Sequence, residues 1–165
     1  MNKTKTTALI LGALFFAFHL NAQKKEFKND SEKRKLQHLP DPIPFKVAHG
    51  YFINYSVKGK ITESKVETQA QFDKIFSSAA VMGEDGLPTK IDFTKQYVIA
   101  VVKPDTQKET NLIPLSLQDN RDGKIIFTYG VKLGKIHSYI SSPLLLIIVD
   151  KDHNGNIVIN EKFVR

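Results

Sequence analysis

The chain has 165 residues, a formal net charge of +7, and neither cysteine nor tryptophan. Without cysteine there are no disulfides, thiol nucleophiles or thiolate metal sites, and the lipid attachment of a bacterial lipoprotein is excluded, so the fold rests on its core alone.

Lys3 and Lys5 precede an unbroken apolar run, Ala8–Phe18, which gives way to His19-Leu20-Asn21-Ala22. These are the three regions of a signal peptide, with cleavage expected after Ala22. The run falls short of the roughly 20 apolar residues that cross a bilayer, and it has no polar face that would make it an amphipathic helix of the domain. The expected product is exported, periplasmic or extracellular, soluble and not a lipoprotein. It carries a formal charge of +5, because residues 1–22 hold Lys3 and Lys5 and no acid. Nucleic acid is not an expected partner of such a chain, and no transmembrane segment is expected after cleavage.

Residues 23–43 read as a charged, Pro-containing flexible segment. Lys24, Lys25, Lys28, Lys33, Arg34 and Lys35 outnumber Glu26, Asp30 and Glu32, and Pro40 and Pro42 follow. So few apolar residues cannot bury enough surface to fold. A single domain is expected over residues 44–165.

Within it, Tyr51, Ile53, Tyr55 and Val57 alternate with Phe52, Asn54 and Ser56 as in a strand, Lys58-Gly59-Lys60 supplies a turn, and a second strand is expected through 61–66. A helix is expected over about 69–80. Thr68 and Gln71 form a capping box, and Phe72, Ile75, Phe76, Ala79 and Ala80 make one apolar stripe. Val81–Lys90 reads as a loop leading into Ile91-Asp92-Phe93. Tyr97–Val102 is apolar at nearly every position, as in a strand covered on both faces at the centre of a sheet.

Strands are next expected over 111–117 and 124–133, around the turn-rich Asp119–Gly123, with Ile125, Phe127, Tyr129, Val131 and Leu133 on one face. Leu144–Val149 is the strongest buried-strand signal, and Ile157–Phe163 offers a last strand. The pattern predicts an α+β fold: one mostly antiparallel sheet of seven to eight strands, curled into a partial barrel or sandwich, with one main helix.

The sharpest motif is Asp150-Lys151-Asp152-His153-Asn154-Gly155-Asn156 with Glu161, which matches an EF-hand calcium loop residue for residue. Yet a β-run precedes it and only Lys162–Arg165 follow Glu161, which leaves no room for an exiting helix. A strand through Ile157 would also carry Glu161 away from the loop. The favoured reading is a hairpin turned at Asn154-Gly155. Weak calcium binding by Asp150, Asp152 and Asn154 is the alternative.

His137 and Ser138, with Asp150 as third member, are the members of an outsider hydrolase reading, but no Gly-x-Ser-x-Gly elbow is present and serines before Pro143 mark a loop. No nucleotide-binding glycine pattern occurs. Glu84, Asp85 and Asp92 form an acidic cluster around the loop after the helix, where a solvated turn is the simpler account. Asn54-Tyr55-Ser56 matches a glycosylation sequon.

The segments Phe72–Phe76, Ala80–Gly83, Pro88–Phe93, Val98–Val101 and Leu144–Asp150 resemble small exported proteins of Gram-negative bacteria that have no assigned function. More distantly, a helix followed by an Ile-Asp-Phe strand entry and an apolar strand is similar to the C-terminal domain of protease complex subunit PrcB-like proteins. That resemblance implies a non-catalytic accessory or protein-binding role at the cell envelope, and it transfers no functional residue. The expectation is a non-enzymatic module without cofactor, which binds an envelope or extracellular protein through a sheet face or edge. Glu84, Asp85 and Leu87 are its candidate contacts, because long loops carry function more often than core strands.

Overall fold

The computed structural model describes residues 40–57, 64–79 and 86–165. The expected signal peptide, most of the charged segment, the turn at 58–60 and the contact residues Glu84 and Asp85 lie outside the described residues. The folded unit begins at Pro40, and Ile43, inside the segment expected to be flexible, is buried in the core.

The strands are β1 (Asp41–Pro42), β2 (Lys46–Ala48), β3 (Tyr51–Ile53), β4 (Lys65–Val66), β5 (Phe76–Ser78), β6 (Gln96–Val102), β7 (Thr106–Asp119), β8 (Lys124–Ser141), β9 (Leu144–Asp150) and β10 (Asn156–Phe163). The helix α1 spans Gln69–Ile75. The strands form two four-stranded sheets, ordered β1-β7-β8-β10 and β2-β9-β6-β4, and a β3-β5 ribbon. The expected single sheet is thus corrected to several, none of them closed, while the α+β class holds.

The two large sheets are built from one bent ribbon. Gln96–Val102 pairs with Leu144–Asp150 in unbroken antiparallel register, and Lys103 N–H donates to Pro143 C=O at 3.0 Å. The same two chain segments then pair as β7 and β8, from Thr106↔Ser141 to Asp119↔Ile125. Register shifts between Thr106 and Lys108 and between Lys108 and Thr110 mark where the ribbon folds over, as β-bulges bend a strand and sharpen its twist. Its tip closes at Asn120–Gly123, where Asn120 N–H reaches Lys124 C=O at 3.0 Å and Gly123 takes a φ of 80° that glycine tolerates freely.

Folding the ribbon over brings Tyr97, Ile99, Val101, Leu145, Ile147 and Val149 against Leu117, Ile125, Phe127, Tyr129 and Val131 in the core between the sheets. The opposite face of β6 and β9, with Val98, Ala100, Leu146 and Ile148, packs against Phe72, Phe76 and Ile53 from α1 and the small ribbon. Both faces of β6 and β9 are covered, which is why these strands read as continuous apolar runs.

Several local expectations are corrected. Half of the capping box forms as read: Gln71 N–H donates to Thr68 Oγ1 at 3.2 Å, but Gln71 Oε1 accepts from Glu67 N–H, one residue before the cap, at 3.1 Å. The helix nevertheless stops at Ile75, and Phe76 enters the core from an extended strand that pairs with β3. The expected strand 51–57 ends at Ile53, and a single 3-10 turn follows at Tyr55–Val57. The ribbon also extends far beyond Leu133, so Ser138 and Ser141 lie in β8 and not in a loop. Finally, β10 does not pair with β9. It crosses to the other sheet and runs parallel to β8, from Asn156↔Lys124 to Phe163↔Val131, so Asp150–Asn156 is a crossover between sheets, not a hairpin turn.

Candidate contact surfaces

Two of the loop motif's candidate ligands, Asp150 and Asn154, have side-chain partners. Asp150 Oδ1 accepts from Gln96 Nε2 at 3.1 Å, Asn154 Oδ1 accepts from the Lys65 ammonium at 2.8 Å, and Lys151 Nζ donates to Phe93 C=O at 2.6 Å. Glu161, the twelfth position of the calcium pattern, sits on β10, where its carboxylate accepts from Tyr129 Oη and pairs with Lys103 Nζ. Among the described residues, no group of three His, Asp or Glu is placed to hold a metal ion.

The His137, Ser138 and Asp150 constellation does not assemble. His137 Nε2 lies 3.8 Å from Glu109 Oε2 and its ring stacks on Tyr139. Asp150 is at the opposite end of β9 from the β8–β9 junction, roughly 20 Å away at the rise of an extended strand. Leu87 is exposed, as a contact residue requires. The end of its loop is pinned: His49 N–H donates to Thr89 Oγ1 at 3.0 Å and Tyr51 Oη to Thr89 C=O at 2.6 Å. Gly50, at φ 77°, lets Pro88 approach so closely that a Cβ there would meet its Cα at 2.8 Å. Asp92 opens the turn before β6: its carboxylate accepts from Thr94, whose hydrogen bonds hold it below the usual range. The Asn54 amide donates to the carbonyls of Asp73 and Lys74 at 3.1 and 3.2 Å, so it serves to dock the end of α1.

An open polar cleft of about 710 Å³ is lined by Ser64, Lys65, Glu67, Gln71 and Asn154–Ile157 together with Gly123. Lys65 anchors it. Its ammonium reaches Glu67 at 2.7 Å and Asn154 at 2.8 Å and lies 4.7 Å from the centre of the Tyr97 ring. Tyr97 itself is buried, and its hydroxyl is a buried polar atom without a hydrogen-bond partner among the described residues. Burial, helped by the charge of Glu67, pushes its pKa up to about 12.

Two other features were not signalled as contact sites by the sequence. At the bend of the ribbon, Ile136, Tyr139 and Ile140 are 77%, 60% and 65% exposed, and Lys108, Lys132 and Lys135 are exposed around them. Alternation placed Leu133 on the core face with Val131, yet it is 45% exposed, because the ribbon leaves the sandwich just beyond Val131. The second feature is β10, the terminal strand of its sheet. Comparisons with family models, with curated proteins and with solved structures return no match.

In β10, Asn156 N–H donates to Gly123 C=O and Val164 N–H to Val131 C=O. In an evenly spaced parallel ladder this phase turns the N–H groups of Ile157, Ile159, Glu161 and Phe163 away from β8, toward the open side. No strand covers that side among the described residues. The other edges are blunted. β1, β2 and β4 have two or three residues each, and the open stretch of β7 is interrupted by bulges and by Pro114, which has no N–H to offer.

Proposed function

We propose that this chain is an exported, non-enzymatic binding or accessory protein of the cell envelope, which offers the open edge of β10 to an extended segment of a protein partner. The observation that carries this reading is the edge itself: an eight-residue strand, in unbroken register with β8, with outward N–H groups and no proline. Strand addition draws affinity from such main-chain groups and specificity from alternate side chains. The leader-like N-terminus supports export, and the similarity to PrcB-like domains supports an accessory role. Two calcium ligands of the alternative reading, Asp150 and Asn154, are already engaged by Gln96 and Lys65.

Ile159→Pro removes one outward N–H and leaves every bond to β8 in place, so it separates docking from folding. The chain is to be secreted by a bacterial host and its N-terminus read by mass spectrometry, with Gln23 expected first. It is then used for affinity capture from an envelope fraction. A protein recovered with the wild type and lost with Ile159→Pro, at unchanged circular dichroism, supports the reading. Identical recovery with both variants counts against the edge, and an N-terminus still at Met1 counts against export.

A further inference from the structure

We propose that the bend of the β7–β8 ribbon is a docking surface for an anionic lipid membrane, separate from the β10 edge. Among the described residues, the ribbon between the sandwich and the bend has neither a third strand nor a second layer. From Lys132 to Ile140 every side chain of β8 is exposed except His137, which is half-buried.

What is exposed there is of two kinds. Ile136, Tyr139 and Ile140 present apolar side chains at 77%, 60% and 65% exposure, a local concentration that has no core to serve. Lys108, Lys132 and Lys135 stand exposed on the same short stretch of ribbon. Its acidic side chain, Glu109, lies with its carboxylate over Gly134 and 3.8 Å from His137, and is itself 44% exposed. Lys108, Lys132 and Lys135 outnumber Glu109 and the neighbouring exposed Asp105, so the stretch is net positive and complementary to a negatively charged surface.

Apolar side chains with an aromatic ring amid lysines are the composition that settles at the headgroup boundary. There the chains enter the acyl region while the ammonium groups remain among phosphates. Beside the bend, Tyr51, Phe52 and Tyr55 line with Ser142 and Leu144 a cavity of about 230 Å³, where Phe52 and Tyr55 add exposed aromatic surface at this end of the β8–β9 connection. A face made for a protein core interface is depleted of lysine, whereas this one is framed by it.

The test is flotation of the secreted chain with vesicles of phosphatidylcholine alone or mixed with phosphatidylglycerol, at low and at raised salt. Every variant shares the same N-terminal residues, so differences between variants report on the bend. The wild type is expected to float with the mixed vesicles, less so in salt. Lys132→Glu/Lys135→Glu is expected to weaken partition about tenfold or more, since each lysine at an anionic surface contributes strongly. Ile136→Ser/Ile140→Ser is expected to lose it at unchanged melting temperature. Equal flotation with both vesicle types, flotation of both variants like the wild type, or no flotation of the wild type overturns the proposal. So does capture of a protein that depends on these four residues while vesicles remain unbound.

Discussion

Tyr129 donates its hydroxyl proton to the Glu161 carboxylate across the parallel β8–β10 pair, and Lys103 pairs with the same carboxylate from the β6–β7 link. The three side chains clamp the last strand onto the sandwich. The hydrogen bond from Lys103, then that from Tyr129, holds Glu161 below its ordinary 4.5. Burial, then the bond to Glu161, raises Tyr129 above its ordinary 10.0.

The sign for stability differs at the two ends of the pH scale. The lowered Glu161 contributes stability that is present above pH 4.5 and is lost as pH falls through its folded value. The raised Tyr129 contributes stability that is present below pH 10.0 and is lost as pH rises through its own. Melting temperature followed from acid to alkali should show a plateau between these limits. In Glu161→Gln the acid limb should be shallower, and an unchanged acid limb would show that the clamp contributes nothing.

Tyr97→Phe should raise stability by about 1 kcal/mol, measured by urea unfolding. It deletes a buried hydroxyl that has no partner among the described residues and keeps the ring over which Lys65 sits. An unsatisfied buried polar group costs more than the bond it never makes returns. A loss of stability would mean that a partner, such as an ordered water, satisfies it.

Ile147 lies at 0% exposure in β9, between the sheets, so Ile147→Ala should cost about 2–5 kcal/mol through lost burial and the cavity left behind. Ile136→Ala, at the bend, should stay within about 0.5 kcal/mol. The contrast in denaturant midpoints checks whether the apolar residues of the bend serve the core or a contact.

Calorimetric titration with calcium should give no saturable heat, and Asp150→Ala/Asp152→Ala should behave as the wild type. With Glu161 committed to Tyr129 and Lys103, and Asn154 to Lys65, the loop lacks the carboxylate that closes an EF-hand shell.

Local and repetitive signals were legible in the sequence. The capping pair of Thr68 and Gln71 placed the start of α1, the apolar run of β6 announced a strand covered on both faces, and that of β9 a buried strand. The stripe through Phe72 and Phe76 was read correctly as core, although Phe76 reaches it from a strand. A residue at a helix end and one just beyond it can bury the same side, so periodicity alone could not place the end of α1.

The partner of β10 was not legible. Asp150–Asn156 carries the residues of a tight turn, but whether the chain returns beside β9 or crosses to β8 is decided by which apolar face remains uncovered, a property of distant residues. The bend was hidden for a similar reason. Its isoleucines and tyrosine look like strand interior until the bulges at Thr106–Thr110 lift the ribbon away from the second layer. The β10 edge escaped as well, since an unpaired edge is a property of sheet order and leaves no mark on composition.

The continuous ribbon also implies an order of assembly. Starting from the turn at Asn120–Gly123, each added pair closes a loop only slightly longer than the one before, so zipping from the tip toward Gln96 and Asp150 spreads the chain-entropy cost over small steps. The central strands of both sheets can thus form early, and joining the sheets requires a fold at one hinge. The parallel strand β10 has no such neighbour-by-neighbour route, and it should be the last strand to dock on refolding and the first to leave on unfolding.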